Sequence, residues 1–253
     1  MKKVVNMVLV LLALALIALG VRDMLLYEQV DMDNNSLREV VVKIPDDGQG
    51  LDPSDPFNRQ IDFEYLQNVN PDIKGWIYIP GTDVDYPILI GETDLQYQDA
   101  DYTGTPNILG SLFTFAGVDL NANNHVCIFG HNMRITAARD DLMFGGLKLF
   151  KDSEYAYERM KAYIYTPDRT KECTLISAFS CHKTDEIFEL NASQDVRNLE
   201  ELIQTVNSRS SIAFKIPDNA GQLYSLSTCD GGSGTPYRWT LHYSVTKEKY
   251  VLK

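Results

Sequence analysis

The stretch LYSLSTCD, residues 223–230, is the most informative part of this sequence. If it forms a strand, alternation puts Ser225, Ser227 and Cys229 on one face. Cys229 is then the last residue before the Gly-rich loop DGGSGTPY, and Arg238 follows nine residues later, at the start of the next candidate strand. A cysteine at the rim of a strand can be a buried small hydrophobe, a metal ligand or a nucleophile.

Short strands separated by turns dominate the sequence around this stretch. The candidate strands are 76–79, 84–90, 111–115, 125–129, 161–166, 172–181, 211–216, 222–229 and 238–246. Helical spacing is found in three segments: 63–69, 140–160, which Gly145 and Gly146 break, and 195–208. Many short strands closed by turns predict a mostly β fold, a barrel rather than a parallel α/β sheet.

The amino terminus carries an apolar run, Val4–Val21, in which Asn6 is the one polar side chain. As a helix, 18 residues cover roughly 27 Å, close to the hydrocarbon thickness of a bilayer. Two lysines precede the run and one arginine follows it, which favours an amino end inside the cell. We expect an uncleaved signal anchor, although the small-x-small triplet at 18–20 leaves cleavage open.

The chain therefore divides into three predicted parts. Residues 1–25 form the membrane anchor, 26–57 a polar stalk with a short helix near 35–42, and 58–253 a globular domain. Either reading of the amino terminus places the remainder outside the cytoplasm, so we expect a single-pass membrane protein with an extracellular domain.

Composition excludes some classes of function. A formal net charge of −12 argues against nucleic-acid binding, because phosphates need basic residues to neutralise them. Zinc is disfavoured because the densest clusters, His125 with Cys127 and His131, and Cys181 with His182, lack CxxC pairs. We expect neither a metal nor a cofactor.

The four cysteines do not indicate a small domain that is held together by disulfide bonds. Cys173 and Cys181 lie in one predicted strand, where eight residues separate them by roughly 26 Å. They cannot bond to each other there. We assign Cys127 to the core, on the inward face of its strand.

Nucleophilic catalysis by Cys229 needs a base or acid and a group that stabilises an oxyanion. His131 is the best placed of four histidines, because CIFGHNM ends a strand at Gly130 and exposes the next side chain. If the strands at Cys229 and Arg238 pair as a hairpin, about 4.8 Å apart, the guanidinium can reach the sulfur or a bound carbonyl. From the residues alone, a structural histidine and a buried cysteine remain the commoner outcomes.

These residues resemble a known family. The string SLSTC (225–229) is similar to the [TS]LSTC sequence of sortases, the membrane-anchored cysteine transpeptidases of Gram-positive bacteria, and FGHNM (129–133) and Arg238 complete their Cys, His and Arg set in order. The chain resembles class B sortases in particular. The stretches that carry this likeness are NPDIKGWIYIPGTDVDYPIL (70–89), LGSLF (109–113), LMFGGLKLFKD (142–152) and the helix 195–208.

The resemblance implies a closed eight-stranded barrel with peripheral helices and a catalytic set of Cys229, His131 and Arg238. Cys229 would cleave a carboxyl-terminal sorting motif of secreted proteins through a thioacyl enzyme, while His131 protonates the leaving amine and Arg238 holds the substrate and oxyanion. An amine of the peptidoglycan cross-bridge, of lipid II or of a pilin lysine would then take the acyl group.

The chain departs from the family pattern at two positions, and several alternative functions remain open. Phe129 stands where tyrosine is common before Gly-His, and Ser225 replaces a frequent threonine. We also expect Ser227, Thr228 and Asp230 to contact substrate, although an aspartate that starts a turn is the simpler interpretation of the last. The alternatives are a pilin-polymerising sortase, a hydrolytic cysteine peptidase and a surface binding module without turnover.

Overall fold

The computed structural model describes residues 2–43, 50–132, 142–189, 198–231 and 234–251. The chain divides into two compact units, Met1–Glu39 and Val40–Lys253. Helix α1, Lys2–Val41, is long and apolar enough to cross a membrane. It continues beyond the apolar run, where the sequence predicts irregular chain with only a short helix. The polar segment that follows the run up to Val41 contains neither proline nor glycine, so its composition is as compatible with a helix as with a stalk.

The second unit is built around a closed barrel of eight strands with helices on its outside. Its elements are β1 (Val42–Lys43), β2 (Gln60–Ile61), α2 (Phe63–Val69), β3 (Ile73–Tyr78), β4 (Asp85–Ile90), β5 (Leu112–Thr114), β6 (His125–Phe129), a 3₁₀ helix (Gly145–Lys151), α3 (Ser153–Glu158), β7 (Lys161–Tyr165), β8 (Arg169–His182), α4 (Glu186–Glu189), α5 (Leu199–Ser208), β9 (Leu223–Cys229) and β10 (Tyr237–Tyr250). The barrel order is β10-β8-β7-β3-β4-β5-β6-β9, and β1 pairs with β2 alone. The predicted eight-stranded barrel is confirmed.

Strand β9 lies between β6 and β10, and both of its faces are buried. One face turns into the barrel, where Tyr224 is fully buried. The other packs beneath α4 and α5, in a cluster that includes Leu223, Ile187 and Val206. Cys127 belongs to this cluster and is core, as predicted, but it faces α4 outside the barrel, not the barrel interior.

Two predicted elements differ from the structure. Segment 211–216 is not a strand, because its backbone bonds to scattered partners rather than to a neighbouring strand: the Ser211 amide donates to Ala178, and the Phe214 carbonyl accepts from the Asn207 side chain. Its alternating apolar residues bury against the domain as an extended loop.

The glycines at 145 and 146 do not break a helix but begin the 3₁₀ helix, and Asp152 caps α3 directly afterwards. The helix predicted over 195–208 begins at Leu199, with Asn198 as its N-cap. Its predicted start, 195–197, lies outside the described residues, as does Met133 of the FGHNM motif.

Candidate active site

A hairpin brings Cys229 and Arg238 together. Strands β9 and β10 pair in antiparallel register, with Cys229 directly opposite Arg238. Cys229 is the last residue of β9 and the one part of that strand that is not fully buried. The Arg238 Nη1 donates to the carbonyls of Thr235 (3.0 Å) and Tyr237 (3.0 Å), so the hairpin loop itself holds the guanidinium. Residues 232–233 of that loop lie outside the described residues.

His131 reaches the same place because β6 and β9 run parallel. Phe129 pairs with Ser227, and the pairing continues as the Gly130 amide donates to the Ser227 carbonyl at 3.1 Å. The Thr228 hydroxyl then donates to the Gly130 carbonyl at 2.8 Å. Parallel strands end at the same rim, so the residue after Gly130 lies beside the end of β9.

Gly130 is required there by close packing. A Cβ at this position would lie 2.4 Å from Leu112 Cδ2 and 2.9 Å from the Phe144 ring, distances that carbon atoms do not adopt. A side chain at this position would therefore require the Leu112 side chain and the Phe144 ring to move.

Asn132 is a site residue to which the sequence interpretation gave no role. Its Nδ2 donates to the Cys229 carbonyl at 2.7 Å and so holds the backbone of the cysteine from the end of the neighbouring strand. The sequence does contain an indication of this role, because Asn132 belongs to the GHNM motif that carries the family resemblance. No local sequence pattern, however, indicates which group the Asn132 side chain bonds to.

The His131 imidazole is held from its other side by the loop before β5. Its Nε2 lies 2.8 Å from the Gln98 carbonyl oxygen and 3.7 Å from the Asp99 carboxylate. The Asp99 side chain is 73% exposed, so solvent screens that attraction. The contact that holds the imidazole is therefore the hydrogen bond to the Gln98 carbonyl.

Cys229, His131 and Arg238 line one cavity of about 370 Å³, together with the predicted contact residues Ser227 and Thr228. Ser227 is 1% exposed, and its hydroxyl has no hydrogen-bond partner among the described residues. A buried hydroxyl left without a partner costs free energy, so a polar group entering the cavity gains by bonding to it.

One wall of the cavity is aromatic. Phe129 stacks on Phe115, with ring centroids 4.9 Å apart, and contacts Phe113 and Phe188 at 5.8 Å each. Lys183 adds a second cation beside Arg238 to the lining. The cavity therefore combines an apolar wall with positive charge, in a chain whose net charge is −12.

Asp230 is turned away from this cavity. Its carboxylate accepts from Lys151 Nζ at 2.5 Å. Burial raises the pKa of Asp230, but hydrogen bonds from Lys151 and Ser180 outweigh it, and the pKa lies below its ordinary value. The structure thus brings Ser227 and Thr228 to the cavity but ties Asp230 to the 3₁₀ helix.

The remaining histidines have other surroundings. His125 and His242 are fully buried, and the Ser225 hydroxyl bridges them at 2.8 Å and 2.7 Å. His242 continues to Thr240 at 3.0 Å. His182 is exposed and pairs with a neighbouring hydroxyl. Within the ranges that the structure describes, no group of three or more His, Cys, Asp or Glu side chains is placed to hold a metal ion.

The comparisons with curated proteins and with solved structures point to the same family. No protein-family model matches the chain. Sortase B of Staphylococcus aureus (strain NCTC 8325 / PS 47) is 25% identical over 259 residues, which cover 100% of this chain and 96% of that protein. Sortase B of Listeria monocytogenes serovar 1/2a is 26% identical over 167 residues, 65% of each chain.

Solved structures show the same fold. Sortase B of Bacillus anthracis superposes with a TM-score of 0.70 at 22% identity, covering 88% of this chain and 99% of that one. A Staphylococcus aureus sortase B–substrate complex (73% and 84% covered, 24% identical) and a sortase B complexed with triglycine (73% and 85%, 23%) both give 0.63. In sequence and in fold, the chain is similar to class B sortases, which supports a sortase of that type.

Proposed function

We propose that this chain is a cysteine transpeptidase of the sortase B type, with Cys229 as nucleophile, His131 as proton donor and acceptor, and Arg238 as the oxyanion and substrate ligand. The observation that supports this most directly is that these three side chains line one cavity, reached from three different strand ends. The similarity to sortase B supports the class of reaction.

The reaction exchanges one amide bond in two steps. In the first, the Cys229 thiol gives its proton to His131, the sulfur bonds to the carbonyl carbon of the substrate, the carbon–nitrogen bond breaks, and His131 passes that proton to the leaving amine. In the second, an acceptor amine bonds to that carbon, the carbon–sulfur bond breaks, and His131 takes up the proton that the amine loses and returns it to the Cys229 sulfur. Arg238 stabilises the negative oxygen in both steps.

The cavity suits a peptide that presents both polar and apolar groups to it. The partnerless Ser227 hydroxyl supports a hydrogen bond to the peptide, and the phenylalanine wall supports an apolar contact. Lys183 and Arg238 favour acidic or carbonyl groups. We propose the carboxyl-terminal sorting motif of a secreted protein as this peptide.

We further propose that α1 anchors the protein in the cell membrane, with the barrel outside. The acceptor is then an amine of the cell wall, from the peptidoglycan cross-bridge or from lipid II. The solved sortase B complexed with triglycine supports a glycine amine as a probe for this step. A pilin lysine is the alternative acceptor.

The test uses a library of sorting-motif peptides, each with a fluorophore and a quencher, incubated with the full chain in detergent. We expect cleavage that yields a ligated product when triglycine or a diaminopimelate-type amine is added. Cys229→Ala should lower the rate by on the order of 10³-fold or more, because the covalent route is lost. Cys173→Ala is the matched control, since Cys173 is buried away from the cavity.

The other outcomes are equally informative. Cleavage without any ligated product, whichever amine is offered, would identify a hydrolytic cysteine peptidase. Full activity in Cys229→Ala would contradict the assignment of the nucleophile. A wild-type chain that cleaves no peptide of the library would favour a binding module.

A further inference from the structure

We propose that the loop between β4 and β5, residues 91–110, is a positioning element that fixes the proton-bearing form of His131. We call it the positioning loop. Through the Gln98 carbonyl it holds the proton on Nε2, which assigns the exchange of protons with substrate to Nδ1. This inference rests on the proposed function and adds to it a named atom and three positioning residues, Tyr97, Gln98 and Gly110.

The assignment of the atom follows from the acceptor. A backbone carbonyl only accepts hydrogen bonds, so the imidazole nitrogen 2.8 Å from the Gln98 oxygen must carry a hydrogen. A neutral imidazole has one such hydrogen, and Nδ1 then carries the lone pair. When His131 takes up a second proton it does so on Nδ1, and the Nε2 bond to Gln98 persists through the cycle.

The Gln98 carbonyl is held in place by its neighbours. The carbonyls on either side are turned into the loop, where Tyr97 O accepts from the Ser111 amide at 3.0 Å and Asp99 O from the Asn107 amide at 2.9 Å. The Ala100 carbonyl accepts from the Ser111 hydroxyl at 2.9 Å. With these groups fixed, the peptide that carries the Gln98 oxygen is fixed as well, and its oxygen faces His131.

Tyr97 anchors the loop to the start of the barrel. Its side chain is 3% exposed, and its hydroxyl accepts from Asn70 Nδ2 at 2.9 Å and donates to the Asp72 carboxylate at 2.8 Å. Asn70 and Asp72 immediately precede β3. The residue next to Gln98 is therefore bonded to the segment that leads into β3.

Gly110 closes the loop against the same carbonyl. It has a φ of +57°, and a Cβ there would lie 2.1 Å from the Gln98 oxygen. That atom is backbone and cannot rotate away like a side chain, so any larger residue must move the oxygen that holds His131. Gly104, in the same loop, has a φ of +88° and open space around its Cβ position.

These two glycines form a matched pair for a test. Gly110→Ala and Gly104→Ala impose the same substitution on a positive φ, but only the first displaces the Gln98 carbonyl. Tyr97→Phe is a milder second variant that removes the anchoring hydroxyl and keeps the ring, so the test remains decisive if Gly110→Ala does not fold.

The first measurement is the tautomer of His131 in the full chain in detergent, by nitrogen NMR of protein labelled at histidine, with the signal identified by its loss in His131→Gln. We expect the Nε2–H form in the wild type and in Gly104→Ala. Gly110→Ala and Tyr97→Phe should give a mixture of the two neutral forms.

The second measurement is transpeptidation of a peptide that the wild type cleaves, with triglycine as acceptor. Misplacement of a proton donor lowers kcat more than it raises KM, and we expect kcat to fall about 10- to 100-fold in Gly110→Ala and several-fold in Tyr97→Phe. Gly104→Ala should stay within about twofold of the wild type.

An Nδ1–H form in the wild type would overturn the inference, and so would a Gly110→Ala protein whose tautomer and kcat equal those of Gly104→Ala. The tautomer is read without turnover. A wild type that is inactive on every peptide would therefore contradict the proposed function, while the NMR result would still decide whether the loop holds His131.

Discussion

Three of the four cysteines are buried and Cys229 is partly exposed, and this difference decides which can react. Burial raises the pKa of Cys173 to about 12 and that of Cys181 to about 11, and it raises the pKa of Cys127 further. A thiol reacts as its thiolate, so these three are inert near neutral pH. Cys229 alone is partly exposed, and it lies at the cavity.

Alkylation at neutral pH should therefore modify one site. We expect iodoacetamide to label Cys229 first in the native full chain, and Cys229→Ala to take up less than about a tenth as much label over the same time, because the buried thiols are protonated and shielded. Mass spectrometry of the peptides identifies the site. Equal labelling of Cys181→Ala and Cys229→Ala would contradict this.

The buried pair His125 and His242 makes stability depend on pH. Burial lowers the pKa of His125 to about 4 from 6.5. Burial also lowers the pKa of His242 well below its ordinary value, with charge on His125 and Arg209 acting in the same direction. The unfolded chain takes up protons below about pH 6.5 while the folded chain does not. Stability is therefore full above that pH and is lost as the pH falls toward 4.

We expect the free energy of unfolding to be about 2 kcal/mol or more lower at pH 5 than at pH 7.5. Urea titration of the full chain in detergent at both pH values measures it. His125→Gln should reduce the difference, whereas His182→Gln should leave it unchanged, because His182 is exposed. Equal stability at the two pH values would show that neither buried imidazole resists protonation.

At the scale of elements, two strand ends and one hairpin place the site. The parallel pairing of β6 with β9 aligns the ends that carry His131 and Cys229, and the antiparallel β10 returns Arg238 opposite the cysteine. Next to them, Trp239 Nε1 donates to the Leu147 carbonyl at 2.9 Å and Asp230 pairs with Lys151, so the 3₁₀ helix braces the hairpin.

The interaction energy between Asp230 and Lys151 can be measured with a double-mutant cycle on Asp230→Asn and Lys151→Met. Lys151 is 46% exposed, so solvent weakens the pair and we expect a coupling of about 0.5 kcal/mol in unfolding free energy. Because Asp230 is turned from the cavity, kcat/KM should change by no more than about threefold. A large rise in KM for Asp230→Asn in both Lys151 backgrounds would instead support a direct substrate contact.

Elements were predictable where local pattern and tertiary contact agree. Strand β6 was predicted residue for residue, and β9 within one residue, because alternation and turn residues bound both. The segment 211–216 has the same alternation, yet no strand edge is available to it in the barrel. Its apolar residues are buried, but its backbone does not pair with a neighbouring strand. Alternation of apolar residues alone cannot distinguish such a buried loop from a strand.

At the scale of the whole molecule, α1 is long and apolar enough to cross a bilayer, and the barrel carries the cavity. The division into anchor, stalk and catalytic domain remains a prediction.

We expect the full chain to sediment with membranes and to resist alkaline extraction, because about 18 apolar residues bury in the hydrocarbon. Leu12→Arg with Leu16→Arg should release it, since each charge at the centre of the span costs about 2.5–3.5 kcal/mol. Protease added outside intact cells stripped of their wall should digest the barrel unit. Protection of that unit would contradict the extracellular orientation.

The sequence by itself determined the barrel class, the candidate anchor and the order of histidine, cysteine and arginine along the chain, because each depends on patterns within a few residues or on a motif. Only the tertiary structure decided what holds those residues. Gln98 and His131 are 33 positions apart, and Asn132 and Cys229 are 97 apart. Such contacts exist because the closed barrel brings distant strand ends to one rim, and no local pattern records which side chain will face which carbonyl there.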